Sequence, residues 1–180
     1  MLRYAFFLAP ALIAAPVVAQ DWTVDHGASS VGFETTVSGG SVNGTFSDWS
    51  AEIVLDPDNL EGARIDARVM TATGSTGNTQ MDQTMLSNSG LNPVAHEAAT
   101  FLSEDIRATD NGYQAHGTLT IAGTAQDIVL PFTLDIADGR AIADSRYTLA
   151  RTDYGVGSPS WGSAAAEVTL ILHVEANAAQ

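Results

Sequence analysis

Four histidines, His26, His96, His116 and His173, are the side chains best suited to proton transfer or metal binding in this chain. A zinc site assembled on one element needs ligands two apart on a strand or four apart on a helix, so that both rings reach the ion. No two of these histidines stand at such a spacing. His116 and His173 also fall on the polar parity of their segments, where a solvated or locally hydrogen-bonded imidazole belongs. The run Asp56-Pro57-Asp58-Asn59-Leu60-Glu61 concentrates acid, but Leu60 occupies a ligand position and the sixth-position glycine of a calcium loop is missing. Gly155-Val156-Gly157 supplies part of a dinucleotide loop without its third glycine or its βαβ setting. The chain contains no lysine, which removes a phosphate-loop lysine, a Schiff base and a Ser-Lys nucleophile together. It contains no cysteine either, so neither a thiolate nor a disulfide is available. The expectation is a protein with no catalytic residue, no metal and no cofactor, hence not an enzyme.

The composition points the same way. Residues 1–19 read as a signal peptide: Arg3 gives a positive start, Tyr4 to Val18 is almost wholly apolar, and Val17-Val18-Ala19 offers small residues for cleavage. Cleavage would leave residues 20–180 as one domain in the periplasm, with no membrane span. Without Arg3, six basic residues face 21 acidic ones, a formal charge of −15. Nucleic acid and anionic lipid surfaces require the opposite sign.

The elements that would position any site are strands. From Gly112 to Ile136 the chain alternates with a period of two, placing Tyr113, Ala115, Gly117, Leu119 and Ile121 on one parity. Ile128, Leu130, Phe132, Leu134 and Ile136 share one parity beyond the run AGTAQD. Successive side chains of a strand point to opposite faces, so this is a long hairpin with one apolar face. Pairing Ile121 with Ile128 sets Leu119 opposite Leu130 and Gly117 opposite Phe132. Pro131 lacks an N–H and needs an edge-like position. Further strands are read at Asp21–Val24, Ser30–Val37, Val42–Leu55, Ala63–Thr71, Thr100–Arg107, Arg140–Leu149 and Ala166–Glu175. The parity changes near Ser47 to Ser50, as at a bulge or bend. TQMDQTMLS reads as a short helix capped by Thr79, and the tail ANAAQ as frayed. Strands without intervening long helices give an all-β fold, an eight-stranded antiparallel barrel with one or two short helices.

An apolar interior is the remaining candidate for function. Phe33, Phe46, Ile65, Val69, Phe101, Leu119, Leu130, Phe132, Leu134, Leu170 and Leu172 face one way on long strands. They form either a packed core or the wall of a bore, since eight staves enclose just enough room for side chains or one slim ligand. Ala67, Ala115 and Gly117 would leave space along the axis. Met81, Met85 and Leu86 on the short helix would cover one mouth as a deformable thioether-rich gate.

Several motifs are similar in order to those of the YceI-like family, the periplasmic lipocalin-like polyisoprenoid-binding proteins. They are Asp25, Ser30 and Phe33; Gly44-Thr45-Phe46; Thr76-Gly77-Asn78 with Asp82 and Ser87; and Thr100-Phe101 with Ser103. Gly117-Thr118-Leu119-Thr120-Ile121 with Gly123 and Val129-Leu130 follow, then Arg151, Asp153-Tyr154-Gly155-Val156 and Glu167-Val168-Thr169. The resemblance spans Trp22 to Ala176. It implies a lipocalin-like barrel whose apolar bore holds a long isoprenoid tail, quinone-like or polyprenyl, or a similar lipid. Met81 stands where the family usually has Arg, Met85 where it has Leu, and His96-Glu97 replaces an aromatic-Pro pair. Headgroup specificity therefore does not carry over. Peripheral membrane contact and a homodimer stay open. The competing expectation is a periplasmic protein-interaction module with a packed core, the partner of a membrane redox protein.

Overall fold

The computed structural model describes residues 20–157 and 161–179. The expected signal peptide, residues 1–19, lies outside them. The strands are β1 (Asp21–Val24), β2 (Ser30–Val37), β3 (Gly40–Phe46), β4 (Trp49–Asp56), β5 (Asn59–Met70), β6 (Gly74–Ser75), β7 (Ala98–Thr109), β8 (Gly112–Ile121), β9 (Thr124–Ala137), β10 (Arg140–Ala150) and β11 (Ala164–Ala178). One helix, α1 (Thr79–Met85), and two 3-10 turns, Thr71–Thr73 and Arg151–Tyr154, complete the described elements.

All pairings are antiparallel. They run β1-β4-β5-β7-β8-β9-β10-β11, and β1 pairs back with β11 to close a barrel of eight strands. The remaining strands arise where the chain breaks within a stave. β11 pairs through Ala176–Ala178 with β1 and through Ala164–His173 with β2, so β1 and β2 occupy one slot. At that break the Ser29 hydroxyl takes the place of a ladder rung, accepting from Glu175 N–H at 2.9 Å and donating to Asp25 O at 2.7 Å. The stretch read as one strand from Val42 to Leu55 is likewise β3 and β4 with a bend at Ser47-Asp48. This is where parity switches from Phe46 inward to Trp49 inward.

Three expectations need correction. The β8–β9 hairpin turns at Ala122-Gly123, both with positive φ (48° and 77°), so Thr124 pairs with Ile121 and Ala115 with Leu130. Two central residues of positive φ make a turn whose twist matches the strands. The register differs from that expected by an even number of residues, so every face is preserved. Ala176–Ala178 are not frayed, since they pair with β1. Asn78, not Thr79, caps α1, its Oδ1 accepting from the N–H groups of Gln80 and Met81. Pro131 behaves as its chemistry requires. The β9–β10 ladder stops at Thr133↔Asp144, and beyond it the Pro131 carbonyl accepts from the Ser145 hydroxyl at 2.6 Å.

Candidate functional site: the bore of the barrel

One end of the barrel is filled. Trp22, Leu55, Ala63, Ala141 and Ala176 are buried there, and the Trp22 indole N–H donates to Leu55 O at 2.8 Å. Satisfying that donor lets a large aromatic ring be buried at little polar cost. Toward the other end the inward side chains change character. Val168, Leu170, Leu172 and Val174 face inward on β11, as do Ala51 and Ile53 on β4 and Ile65, Ala67 and Val69 on β5, yet all are only half-buried. An inward residue that stays accessible has empty space in front of it.

That space is a cavity of about 630 Å³ lined by Trp22, Ala141 and Ala176 at the filled end and by Gln80, Met81, Thr84 and Met85 of α1 at the other. Gln80 and Thr84 are exposed, so the cavity reaches solvent beside α1. On β10 its wall runs from Ala141 to Leu149. That is roughly 26 Å of strand at about 3.3 Å per residue, or roughly 20 Å along the axis once strands tilt by about 40°.

The structure places Phe33, Phe46, Ile65, Val69, Met81, Met85, Phe101, Leu119, Leu130, Phe132, Leu134, Leu170 and Leu172 on this wall. Leu86 is not among the lining residues. It follows α1 as the C-cap, its N–H donating to Asp82 O. Of the small residues expected to leave space, Ala67 lines the cavity opposite Ala51, a pair whose short side chains hollow the β4–β5 wall. Ala115 is fully buried instead. Gly117 sits beneath a bulge in β7, where an added Cβ would lie 2.3 Å from Leu102 O.

Wall residues missed by the sequence reading include Trp49, Leu91, Ala143, Tyr154, Val156 and Trp161. Tyr154, Val156 and Trp161 belong to the glycine-rich stretch after β10, which carries no strand periodicity. Its order comes from Arg151. The guanidinium donates through Nε to Ala165 O (2.9 Å), Nη1 to Val156 O (2.7 Å) and Nη2 to Ala164 O (3.1 Å), and stacks 5.2 Å from the Trp161 ring. Tyr154, packed beneath, is buried, and that desolvation together with Tyr147 and Asp153 pushes its phenol up to about 12.

The bore is apolar even where its sequence is not. Thr71 Oγ1 donates to the carbonyls of His96 and Glu97, and Ser145 Oγ to that of Pro131. Hydroxyls already satisfied by backbone present mainly their carbons to the cavity. The mouth is built on close contacts. Gly44 lies so near the Phe33 ring that an added Cβ would stand 2.3 Å from it. Gly74 does the same for Phe46 (2.7 Å) and for the Met85 methyl (3.0 Å). Phe33 and Phe46 pack with centroids 5.9 Å apart, and Met85 seats α1 over them. Beside them the Asp82 carboxylate accepts from Thr76 Oγ1, Thr76 N–H and Ser75 Oγ, and these bonds hold its pKa below the ordinary carboxylate value. Among the described residues no cluster of three His, Asp or Glu side chains could hold a metal, and no helix is long and apolar enough to cross a membrane.

Comparison with known proteins finds relatives of this chain and of its fold. A UPF0312 protein of Ectopseudomonas mendocina (strain ymp) is 29% identical over 182 residues, covering 95% of this chain and 94% of its own. The crystal structure of Burkholderia cenocepacia BcnA superposes with a TM-score of 0.81 at 24% identity, covering 86% of this chain and 99% of that one. A polyisoprenoid-binding domain from Saccharophagus degradans, implicated in plant cell wall breakdown, has the same fold at 13% identity, with a TM-score of 0.68 over 90% of this chain and 99% of its own. The sequence model of the YceI-like domain matches residues 22–176, nearly all of the described barrel, and the chain belongs to the YceI-like family.

Proposed function

We propose that this protein is exported to the periplasm and there binds and carries a long isoprenoid, quinone-like or polyprenyl, or a similar lipid, with the tail lying in the bore. The observation that carries the reading is the continuous apolar cavity of about 630 Å³. Such a volume would take roughly twenty waters at about 30 Å³ each, but buried water needs two to four polar partners apiece. With the Thr71 and Ser145 hydroxyls already bonded to backbone, this bore offers few. A hydrocarbon chain needs none, and at ~0.8 kcal/mol per buried CH₂ ten methylenes supply about 8 kcal/mol before association costs. The polyisoprenoid-binding domain that shares the fold supports an isoprenoid as the occupant.

The wall residues on which the proposal rests are the thirteen named above, with Met81 and Met85 as the adaptable cover. The packed interaction module has no observation in its favour, because it requires the space to be filled. Native mass spectrometry and organic extraction of freshly purified protein test the reading. A tail-bearing lipid should be recovered, and a protein still empty after exposure to polyprenyl lipids overturns it.

A further inference from the structure

The charges around the cavity narrow the chemistry of its occupant, given that it binds a lipid tail as proposed above. Asp144 and Arg151 are the charged residues of the wall. Asp144 is occupied, its Oδ1 lying 2.7 Å from His173 Nδ1. Arg151 donates through all three guanidinium nitrogens to backbone carbonyls and stacks on Trp161. The other described arginines are equally engaged: Arg64 with Asp66, Arg68 with Glu97, Arg107 with Asp105, Arg140 with Glu175 and Arg146 with Glu34. The chain has no lysine to add. What reaches solvent at the mouth is uncharged: Thr76, Asn78, Gln80 and Thr84. Of these, Thr84 Oγ1 donates to Gln80 O, and Thr76 Oγ1 to the Asp82 carboxylate. The Gln80 side-chain amide makes no hydrogen bond among the described residues. The fixed charge that α1 itself carries is the Asp82 carboxylate, in a chain of net charge −14.

We propose that this mouth selects lipids with an uncharged, hydrogen-bonding head, an alcohol or a quinone carbonyl, and rejects the phosphorylated forms of the same tail. A phosphate held at a protein surface is normally matched by Arg or Lys forks or by ammonium groups. Here none is free, and releasing Arg151 would leave the three carbonyls that it satisfies without their donor. A diphosphate would bring at least two negative charges beside Asp82, and the Arg151 guanidinium could grip them only by giving up its carbonyls. An alcohol or carbonyl head needs only the amide and hydroxyl groups that the mouth already presents.

The test uses the mature chain and three ligands that share one tail: farnesol, farnesyl monophosphate and farnesyl diphosphate. Binding is followed by displacement of a fluorescent fatty probe at low and at high salt. Farnesol should bind on the order of tenfold or more tighter than the diphosphate at low salt, with the gap narrowing as salt screens the repulsion. Gln80→Lys, which puts a free cation at the mouth, should shift the alcohol-to-diphosphate ratio toward the diphosphate. Equal affinities, or a tighter diphosphate, overturn the head selectivity while leaving tail burial intact. Failure of all three ligands to displace the probe overturns the carrier reading itself, and the selectivity with it.

Discussion

At the scale of single residues, the chain spends its polar atoms on its own backbone, which lets threonines and serines line a hydrocarbon-like space. Asp82 is the clearest case at the mouth. Its carboxylate collects three donors from Ser75 and Thr76 and so ties the segment before α1 to the helix. Those bonds favour the charged form and lower the folded-state pKa below the value of 3.8 of a free aspartate. A depressed carboxylate adds stability that is fully present above the unfolded pKa and is lost as pH falls through the folded one. Asp82→Asn should therefore flatten the decline of stability with acid below about pH 4. Denaturant melts of both proteins across that range check it, and parallel curves would show that Asp82 does not hold the segment.

At the scale of elements, period-two alternation made the strands and their faces legible, because a buried face forces every second side chain to be apolar. Register was less so. Sliding β8 against β9 by an even number of residues keeps Leu119, Leu130 and Phe132 inward, so the apolar pattern cannot distinguish the two pairings. The turn chemistry decides instead, and Ala122-Gly123 is a weak signal because only its second residue favours positive φ. The Ser38-Gly39 and Asp138-Gly139 turns share the conformation, with φ of 52° at Ser38 and at Asp138. For an L-residue with a Cβ this conformation costs about 1–2 kcal/mol, and Asn bears it best. Ala122→Asn should accordingly raise stability by up to about 1 kcal/mol. Chemical denaturation reads this directly, and a neutral or destabilising result would mean that the packing of the His96 ring against Gly123, where an added Cβ would lie 2.6 Å from it, dominates. The helix was readable from its cap region, though the cap itself was misplaced by one residue. Both Asn78 and Thr79 can cap a helix, and only geometry chose between them.

At the scale of the whole molecule, a filled core and an open bore have the same one-dimensional pattern. Phe33, Phe101 and Leu170 would be inward in either. The difference lies in which short side chains face each other across strands, and Ala51 opposite Ala67 is a property of register, not of composition. The eleven strand residues expected on the wall could thus be picked by parity, whereas the volume they enclose could not. Ala143, inward on β10 between Leu134 and Val174, gives the global test. Ala143→Trp should fill part of the bore and cut the recovered lipid on the order of tenfold while the barrel stays folded. Circular dichroism and extraction from equal amounts of protein measure the two halves of that statement. Unchanged lipid content would place the ligand elsewhere.

The plug of Trp22, Leu55 and Ala176 has one more consequence. A cylinder stoppered at its base is a cul-de-sac, so any guest backs out through the opening by which it arrived, its chain going in first and coming out last. The depth of the well then acts as a ruler. Chains shorter than it would sink until the head meets α1, while longer ones would leave their surplus outside the barrel.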